Sequence, residues 1–206
     1  MDIKYRTLCK KDFKQIKHLI SEAWFSGYDL PKKYKVMYAD AYINYYLGNS
    51  NYTEVALDND KIIGFIFAKA KKVSFFHKLK YNFKLFLLLF KFFFSKAGRY
   101  GLFVIKREIQ VNKKLIKPLK KELHNEINLI ITDSSYRGHG IGSKLESNFT
   151  EFLKNNNEHH IYLYTDTYSN YKFYFPLGYK KIAEEKAPKE FGDDENSAYF
   201  IFKKEF

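Results

Sequence analysis

One cysteine, Cys9, and four prolines are all that the 206 residues hold of either type. A lone thiol excludes a disulfide framework and a four-cysteine zinc site within the chain. So little proline excludes collagen-like and PxxP-rich architectures. Long hydrophobic runs are missing too. The longest uncharged apolar run in the densest stretch covers residues 85–90, far short of the ~20 needed to cross a bilayer as a helix. Residues 1–4, Met-Asp-Ile-Lys, begin no apolar signal segment. These absences predict a soluble, cytoplasmic protein. Hydrophobic residues, at 46%, are too many for a disordered chain, and the length suits a single domain over residues 1–206 that needs no metal or disulfide staple.

Acid is absent from one place in particular. Residues 71–121 hold 15 Lys and Arg and one acid, Glu108, a net charge of +14. The net charge of the whole chain is +13, so the remaining 155 residues are almost neutral. The same segment holds 11 of the 39 Phe and Tyr. Codon bias toward Lys, Asn, Ile, Tyr and Phe would spread basic and aromatic residues over the whole chain. It does not explain their concentration in a quarter of it.

Elsewhere the pattern alternates between strand and helix. Residues 3–6 alternate apolar and polar as a half-buried strand does. Asp12 reads as an N-cap for a helix carrying Phe13, Ile16, Leu19, Ile20, Ala23 and Trp24. Pro31 reads as the first residue of a second helix that Gly48 stops. Residues 52–57 and 61–70 read as a hairpin about Asp58-Asn59-Asp60. The basic segment reads as one or two amphipathic helices, with a break at Gly98 and Gly101. Residues 127–132 form an apolar, β-branched central strand. A helix over Ile141, Leu145, Phe149, Phe152 and Leu153 follows, then a strand at 161–165, a short helix at 171–175 and two closing strands.

Between that central strand and the helix lies Tyr136-Arg137-Gly138-His139-Gly140-Ile141-Gly142-Ser143-Lys144. A strand-to-helix glycine loop is built for anions. The first helical N–H groups have no partners of their own and sit at the positive end of the dipole, and glycine lets a phosphate approach the backbone. The loop lacks the Gly-Lys-Ser/Thr of a Walker A loop. Its third glycine comes one residue early for a dinucleotide fingerprint. The pattern Arg-x-x-Gly-x-Gly, over Arg137, Gly140 and Gly142, fits better, and a purely structural turn is the alternative.

Residues 129–145 together with residues 170–179, Asn-Tyr-Lys-Phe-Tyr-Phe-Pro-Leu-Gly-Tyr, resemble the GNAT superfamily of acetyl-CoA-dependent N-acetyltransferases. The second stretch is similar to that family's Phe-Tyr-x-x-x-Gly-Phe/Tyr signature. The resemblance covers nearly the whole chain apart from residues 71–121. It implies an α/β fold with a central twisted mixed sheet flanked by helices, in which two parallel strands splay and acetyl-CoA lies between them. The pair would be the strand ending at Thr132 and the strand at 161–165. The pantetheine arm is then expected to pair with Ile130, Ile131 and Thr132. The diphosphate is expected on the backbone N–H groups of Gly138, His139, Gly140, Ile141, Gly142 and Ser143, with charge from Arg137, and Asn170 is expected to contact the same ligand. No metal is implied.

Acetyl transfer to an amine needs a base for the ammonium and a donor for the leaving thiolate. Tyr174, four residues before Gly178, stands where the family places its thiolate-protonating tyrosine. Glu126, eleven residues before Arg137, stands where histone-type members place a base. Simple alternation puts Glu126 on one face with Asn128, Ile130 and Thr132, and His124 on the same face as a rival base. His159 and His160 point apart as strand neighbours and make a poor metal site. Cys9 is expected as a small buried residue.

In the family's order, residues 71–121 are an insertion between the third and fourth strands. They are expected to cover the sheet and line the acceptor pocket, or to meet an anionic partner such as a membrane surface or nucleic acid, or a second copy of the chain. The expected activity is transfer of acetyl from acetyl-CoA to a primary amine. The alternative is an acetyl-CoA-binding sensor or docking module with little turnover.

Overall fold

β-Formers punctuated by polar turns build one seven-stranded mixed sheet. Its strands are β1 (Ile3–Thr7), β2 (Tyr52–Asp58), β3 (Lys61–Lys69), β4 (Glu126–Thr132), β5 (His160–Asp166), β6 (Lys180–Lys186) and β7 (Ala198–Glu205). They lie in the order β1-β2-β3-β4-β5-β7-β6. Neighbours are antiparallel except β4 and β5, which are parallel. The structure, a computed structural model, describes residues 2–27, 31–187 and 196–206.

Among the described residues five helices accompany the sheet: α1 (Phe13–Phe25), α2 (Lys32–Gly48), α3 (Phe75–Phe93), α4 (Lys96–Ile116) and α5 (Ile141–Asn155). On one face α5 presents Ile141, Leu145, Phe149 and Leu153, spaced by four, to Ile127, Ile161 and Leu163. On the other face Ile16, Leu19 and Ile20 of α1 and Ala39, Ile43 and Leu47 of α2 pack on Phe65, Phe67, Leu129 and Ile131. That second face continues under α4, whose Val111 and Leu115 cover Tyr162, Tyr199 and Ile201. Each fully buried Leu, Ile or Phe contributes ~1.5–3 kcal/mol, so both faces are firmly held. The third helix lies on α2, with Phe92 fully buried against Tyr38 and Ala41.

Several local expectations are corrected. Asp12 does not cap α1 forward. Its carboxylate turns back to accept the Cys9 N–H at 2.8 Å and two bonds from Arg6 at 2.7 and 2.8 Å, ending a single 3₁₀ turn (Lys10–Asp12). Cys9 is exposed, not buried, because it caps that turn at the surface. Pro31 precedes α2 rather than opening it, with Lys32 first in the helix. Gly98 and Gly101 lie inside α4, and the chain breaks earlier, at Phe94 and Ser95. Gly98 serves contact there. A Cβ at that position would sit 2.2 Å from the Phe92 carbonyl oxygen, so glycine is what lets the first turn of α4 abut the end of α3.

The α3–α4 excursion leaves and rejoins the sheet at one clasp. The fully buried Asn125 side chain accepts from the Lys71 N–H at 2.9 Å and donates to Glu158 at 2.7 Å and to the His160 carbonyl at 3.1 Å. A buried amide is tolerated only when satisfied in this way, and here it joins both ends of the segment to β5.

Candidate active site

The sheet divides between β4 and β5. Their pairing consists of Glu126 with Tyr162 and Ile127 with Leu163. Beyond that β4 stays with β3 as far as Thr132 opposite Gly64, while β5 stays with β7 as far as Asp166 opposite Tyr199. Each strand follows its antiparallel partner, so the two diverge. The β5-facing edge of Ile130, Ile131 and Thr132 is left without a strand partner among the described residues. An unpaired edge offers N–H and C=O groups to an extended, amide-bearing ligand.

The glycine loop stands at the mouth of this split. Arg137, Gly138, His139 and Gly140 are all exposed. Gly138 and Gly140 have φ of 82° and 72°, left-handed values that favour glycine. A Cβ on either would meet nothing within 4 Å, so both face open space. The first intrahelical bond of α5 is Lys144 N–H to Gly140 C=O at 2.9 Å. The N–H groups of Ile141, Gly142 and Ser143 therefore have no helical acceptor and point into the same space. The His139 ring bonds back to the Tyr136 and Arg137 carbonyls, so His139 offers its backbone rather than its imidazole. The side chains of Ile131 and Ile141 are buried in opposite cores, so each has only backbone to offer.

Gly142 ties the loop to the second motif. A Cβ there would lie 3.2 Å from Phe173 Cζ and 3.4 Å from Thr132 Oγ1. The helix start, the end of β4 and the 3₁₀ turn Tyr171–Tyr174 thus meet at one small residue. Tyr174 is half-buried in that turn among the rings of Phe173, Tyr179 and Phe202. Burial, with the Glu146 charge second, pushes its phenol well above the ordinary value. Asn170 is exposed just before the turn and makes no side-chain cap bond.

Behind Tyr174 lies a polar network that the sequence does not announce. Glu146, 1% exposed, accepts from Thr150 at 2.9 Å, from the Tyr179 phenol at 2.9 Å and from Lys204 Nζ at 3.0 Å. Glu146 reads in sequence as an ordinary helical acid. Only the fold reveals Lys204 of β7 as its counter-ion.

Glu126 stands at the vertex of the split, but not on the face that alternation gives it. In the β3–β4 ladder Phe67 opposes Leu129 and Ala68 opposes Ile127, which leaves Asn128 as an extra, bulged residue. The bulge reverses the parity. Ile127 and Ile130 pack toward α5, and Thr132 Oγ1 lies beside Gly142. Glu126 therefore points to the opposite face, where Tyr162 packs under α4. Its Oε2 receives Lys69 Nζ at 2.6 Å and the Tyr162 phenol at 2.6 Å. Burial first, and the Glu126 charge second, hold the Tyr162 and Tyr164 phenols far above their usual range, so both stay protonated. The bulged Asn128 donates to the Asn49 carbonyl at 2.9 Å and to Ser50 Oγ at 2.8 Å, fixing the end of α2 to β4.

The rival histidine is elsewhere. His124 is exposed, precedes β4, and stacks edge-on with His160 at 5.4 Å, its backbone N–H donating to His160 Nε2. Lys69, Tyr162 and Asn128 were not singled out in sequence. No local pattern in the sequence points to them, because their contacts depend on which strands and helices are brought together.

Comparison with known proteins agrees with this geometry. The family model described as "Acetyltransferase (GNAT) family" matches residues 13–179. A PaiA N-acetyltransferase from Thermoplasma acidophilum, solved with coenzyme A, is similar over 100% of both chains at 14% identity and TM-score 0.56. A Drosophila melanogaster polyamine N-acetyltransferase that forms N-acetylagmatine is similar over 100% of both chains at 12% identity and TM-score 0.60. The protein PH1933 from Pyrococcus horikoshii OT3 is similar over 100% of this chain and 99% of its own, at 20% identity and TM-score 0.59. Among curated proteins nothing matches.

Proposed function

This chain belongs to the GNAT acetyltransferase family and is an acyltransferase of the N-acetyl type, and from that premise we propose that it transfers acetyl from acetyl-CoA to a primary amine by direct attack within a ternary complex. The observation that carries the reading is the split between β4 and β5 with the open start of α5 at its mouth. The fit is good on this chain's own terms: two left-handed glycines facing open space, helical N–H groups without acceptors, and a bare strand edge of matching polarity. The coenzyme A held by the Thermoplasma neighbour and the amine acetylation named for the Drosophila neighbour support the same assignment.

When bound, acetyl-CoA supplies an activated thioester. The chain supplies the rest. Backbone N–H groups from Gly138 to Ser143 hold the diphosphate, with Arg137 adding charge. The edge of Ile130, Ile131 and Thr132 pairs with the pantetheine amides, and the exposed Asn170 amide contacts the same arm. An amine of pKa ~10 arrives as ammonium at neutral pH. Glu126 accepts its proton, directly or through water, at Oε1, because Lys69 and Tyr162 both converge on Oε2. Tyr174, kept protonated by burial, donates to the departing sulfur.

Thiol release from acetyl-CoA, measured against a panel of polyamines, aminoglycosides and peptide amino termini, tests the reaction. Calorimetry with coenzyme A tests the site. Tyr174→Phe is expected to lower kcat by ~10²-fold or more and to leave coenzyme A affinity unchanged. No heat on adding coenzyme A would remove the reading altogether, and an unchanged rate in Tyr174→Phe would remove that donor.

A further inference from the structure

Within α3, Phe76, Leu79, Phe83, Phe86, Phe90 and Phe93 recur at steps of three and four, which places them on one stripe of the helix. The opposite stripe, with Leu85, Leu89 and Phe92, packs toward α2. Among the described residues the first stripe joins none of the buried clusters. Its side chains are between 53% and 80% exposed. Beside it an apolar hollow of about 380 Å³ opens between α3 and α4, lined by Phe86, Leu89, Phe90, Phe93 and Leu102. Scattered exposed phenylalanines are ordinary. A continuous apolar stripe running down a helix of 19 residues, about 28 Å long, marks a surface that something covers.

The charge says what covers it. Lys80, Lys84 and Lys91, all exposed, fall at i, i+4 and i+11 and share one flank of the stripe. No acid occurs from residue 71 to residue 107, and the stretch 71–121 carries a net +14. A second copy seated stripe to stripe would bring two such surfaces together with no acid to offset them. Nucleic acid would lay phosphates along phenylalanine side chains, whereas its aromatic platforms carry cations interleaved with the rings. An anionic bilayer satisfies both features. The rings enter the acyl boundary and the flanking ammonium groups stay at the headgroups. Among the described residues no helix is long and apolar enough to cross a membrane, so α3 lies in the interface plane.

We propose that the outer face of α3 docks the protein on anionic lipid surfaces, with the phenylalanine stripe buried at the headgroup boundary and the Lys80–Lys84–Lys91 flank reading negative charge. This inference is independent of the acyl-transfer reading, since it uses no residue of the split between β4 and β5.

Flotation of the full chain with vesicles tests it. Binding is expected to phosphatidylcholine vesicles that contain phosphatidylglycerol, and to fall at least ~tenfold on raising salt or in the double variant Lys80→Glu, Lys84→Glu. The variant Phe83→Ser, Phe90→Ser changes only exposed side chains. It is expected to keep the wild-type melting temperature and to lose vesicle binding. Phe86→Trp is expected to shift its emission to shorter wavelength on anionic vesicles. Absence of binding, equal binding to phosphatidylcholine alone, or a dimer in solution that the Phe83→Ser, Phe90→Ser variant abolishes would each overturn the proposal.

Discussion

The Tyr162 phenol donates a 2.6 Å hydrogen bond to Glu126 Oε2 across the short stretch where β4 and β5 are paired. Lys69 Nζ reaches the same oxygen from β3. Glu126→Gln keeps the shape and removes the base. It is expected to lower kcat ~10²–10³-fold, with the KM for acetyl-CoA little changed. The carboxylate also balances Lys69, so a second variant separates the two roles. If Glu126 only neutralises Lys69, the pair Glu126→Gln, Lys69→Met regains the wild-type rate. If it is the base, the pair stays slow. Steady-state thiol release reads both.

Gly140 and Gly142 act by different physics, and their alanine variants should differ accordingly. Gly140 caps α5 at φ 72° with nothing within 4 Å of where a Cβ would lie, so alanine meets no clash but is held in a left-handed conformation at ~1 kcal/mol or more. Gly142 has ordinary backbone, but its Cβ would press on Phe173 and Thr132 at 3.2 and 3.4 Å. Gly140→Ala is expected to lower the melting temperature with a modest loss of coenzyme A affinity. Gly142→Ala is expected to weaken coenzyme A several-fold more, because it parts the strand end, the helix start and the turn bearing Tyr174. Calorimetry beside thermal denaturation decides, and coenzyme A affinity unchanged in both variants would detach the loop from the ligand.

The loop, the central strand and the Tyr174 turn were legible in sequence because each is local: glycines at fixed steps, a β-branched run, a proline and a glycine ending a short helix. What sequence misplaced depends on pairing. One bulge at Asn128 puts Glu126 on the opposite face from Thr132, and no alternation count can see an inserted residue whose evidence lies on β3. The Glu146–Lys204 pair joins residues 58 positions apart and was invisible for the same reason. Gly98 misled because a helix-breaking residue and a close-packing residue look alike until the neighbouring helix is in place.

The Glu146–Lys204 pair gives a test of stability apart from activity. Glu146 is buried and the Lys204 side chain is 18% exposed. Glu146→Gln leaves that ammonium without its counter-charge, at a cost of ~3–5 kcal/mol. Replacing both, as Glu146→Leu with Lys204→Met, removes two desolvated charges together and is expected to cost much less than the single change. Urea midpoints measure the comparison. Equal losses in the single and the double variant would mean that Tyr179 and Thr150, not Lys204, are what Glu146 serves.

Acid stability follows from Arg6 and Asp12. The Arg6 guanidinium, donating at 2.7 and 2.8 Å, holds the Asp12 carboxyl down to about 2, against a smaller opposing effect of burial and with further help from the Cys9 N–H. The unfolded chain has Asp near its ordinary ~3.9. A carboxyl depressed in the folded state binds its proton later than the unfolded chain does, so its contribution is present in full above about pH 4 and drains as pH falls through about 2. Arg6 is partly exposed, so screening trims the contribution to ~1–2 kcal/mol. Asp12→Asn is expected to lose that amount at neutral pH, and the gap from wild type in urea melts should narrow between about pH 5 and pH 2. A gap that stays constant over that range would mean that the pair adds no charge-dependent stability and that Asp12 serves only the turn at Cys9.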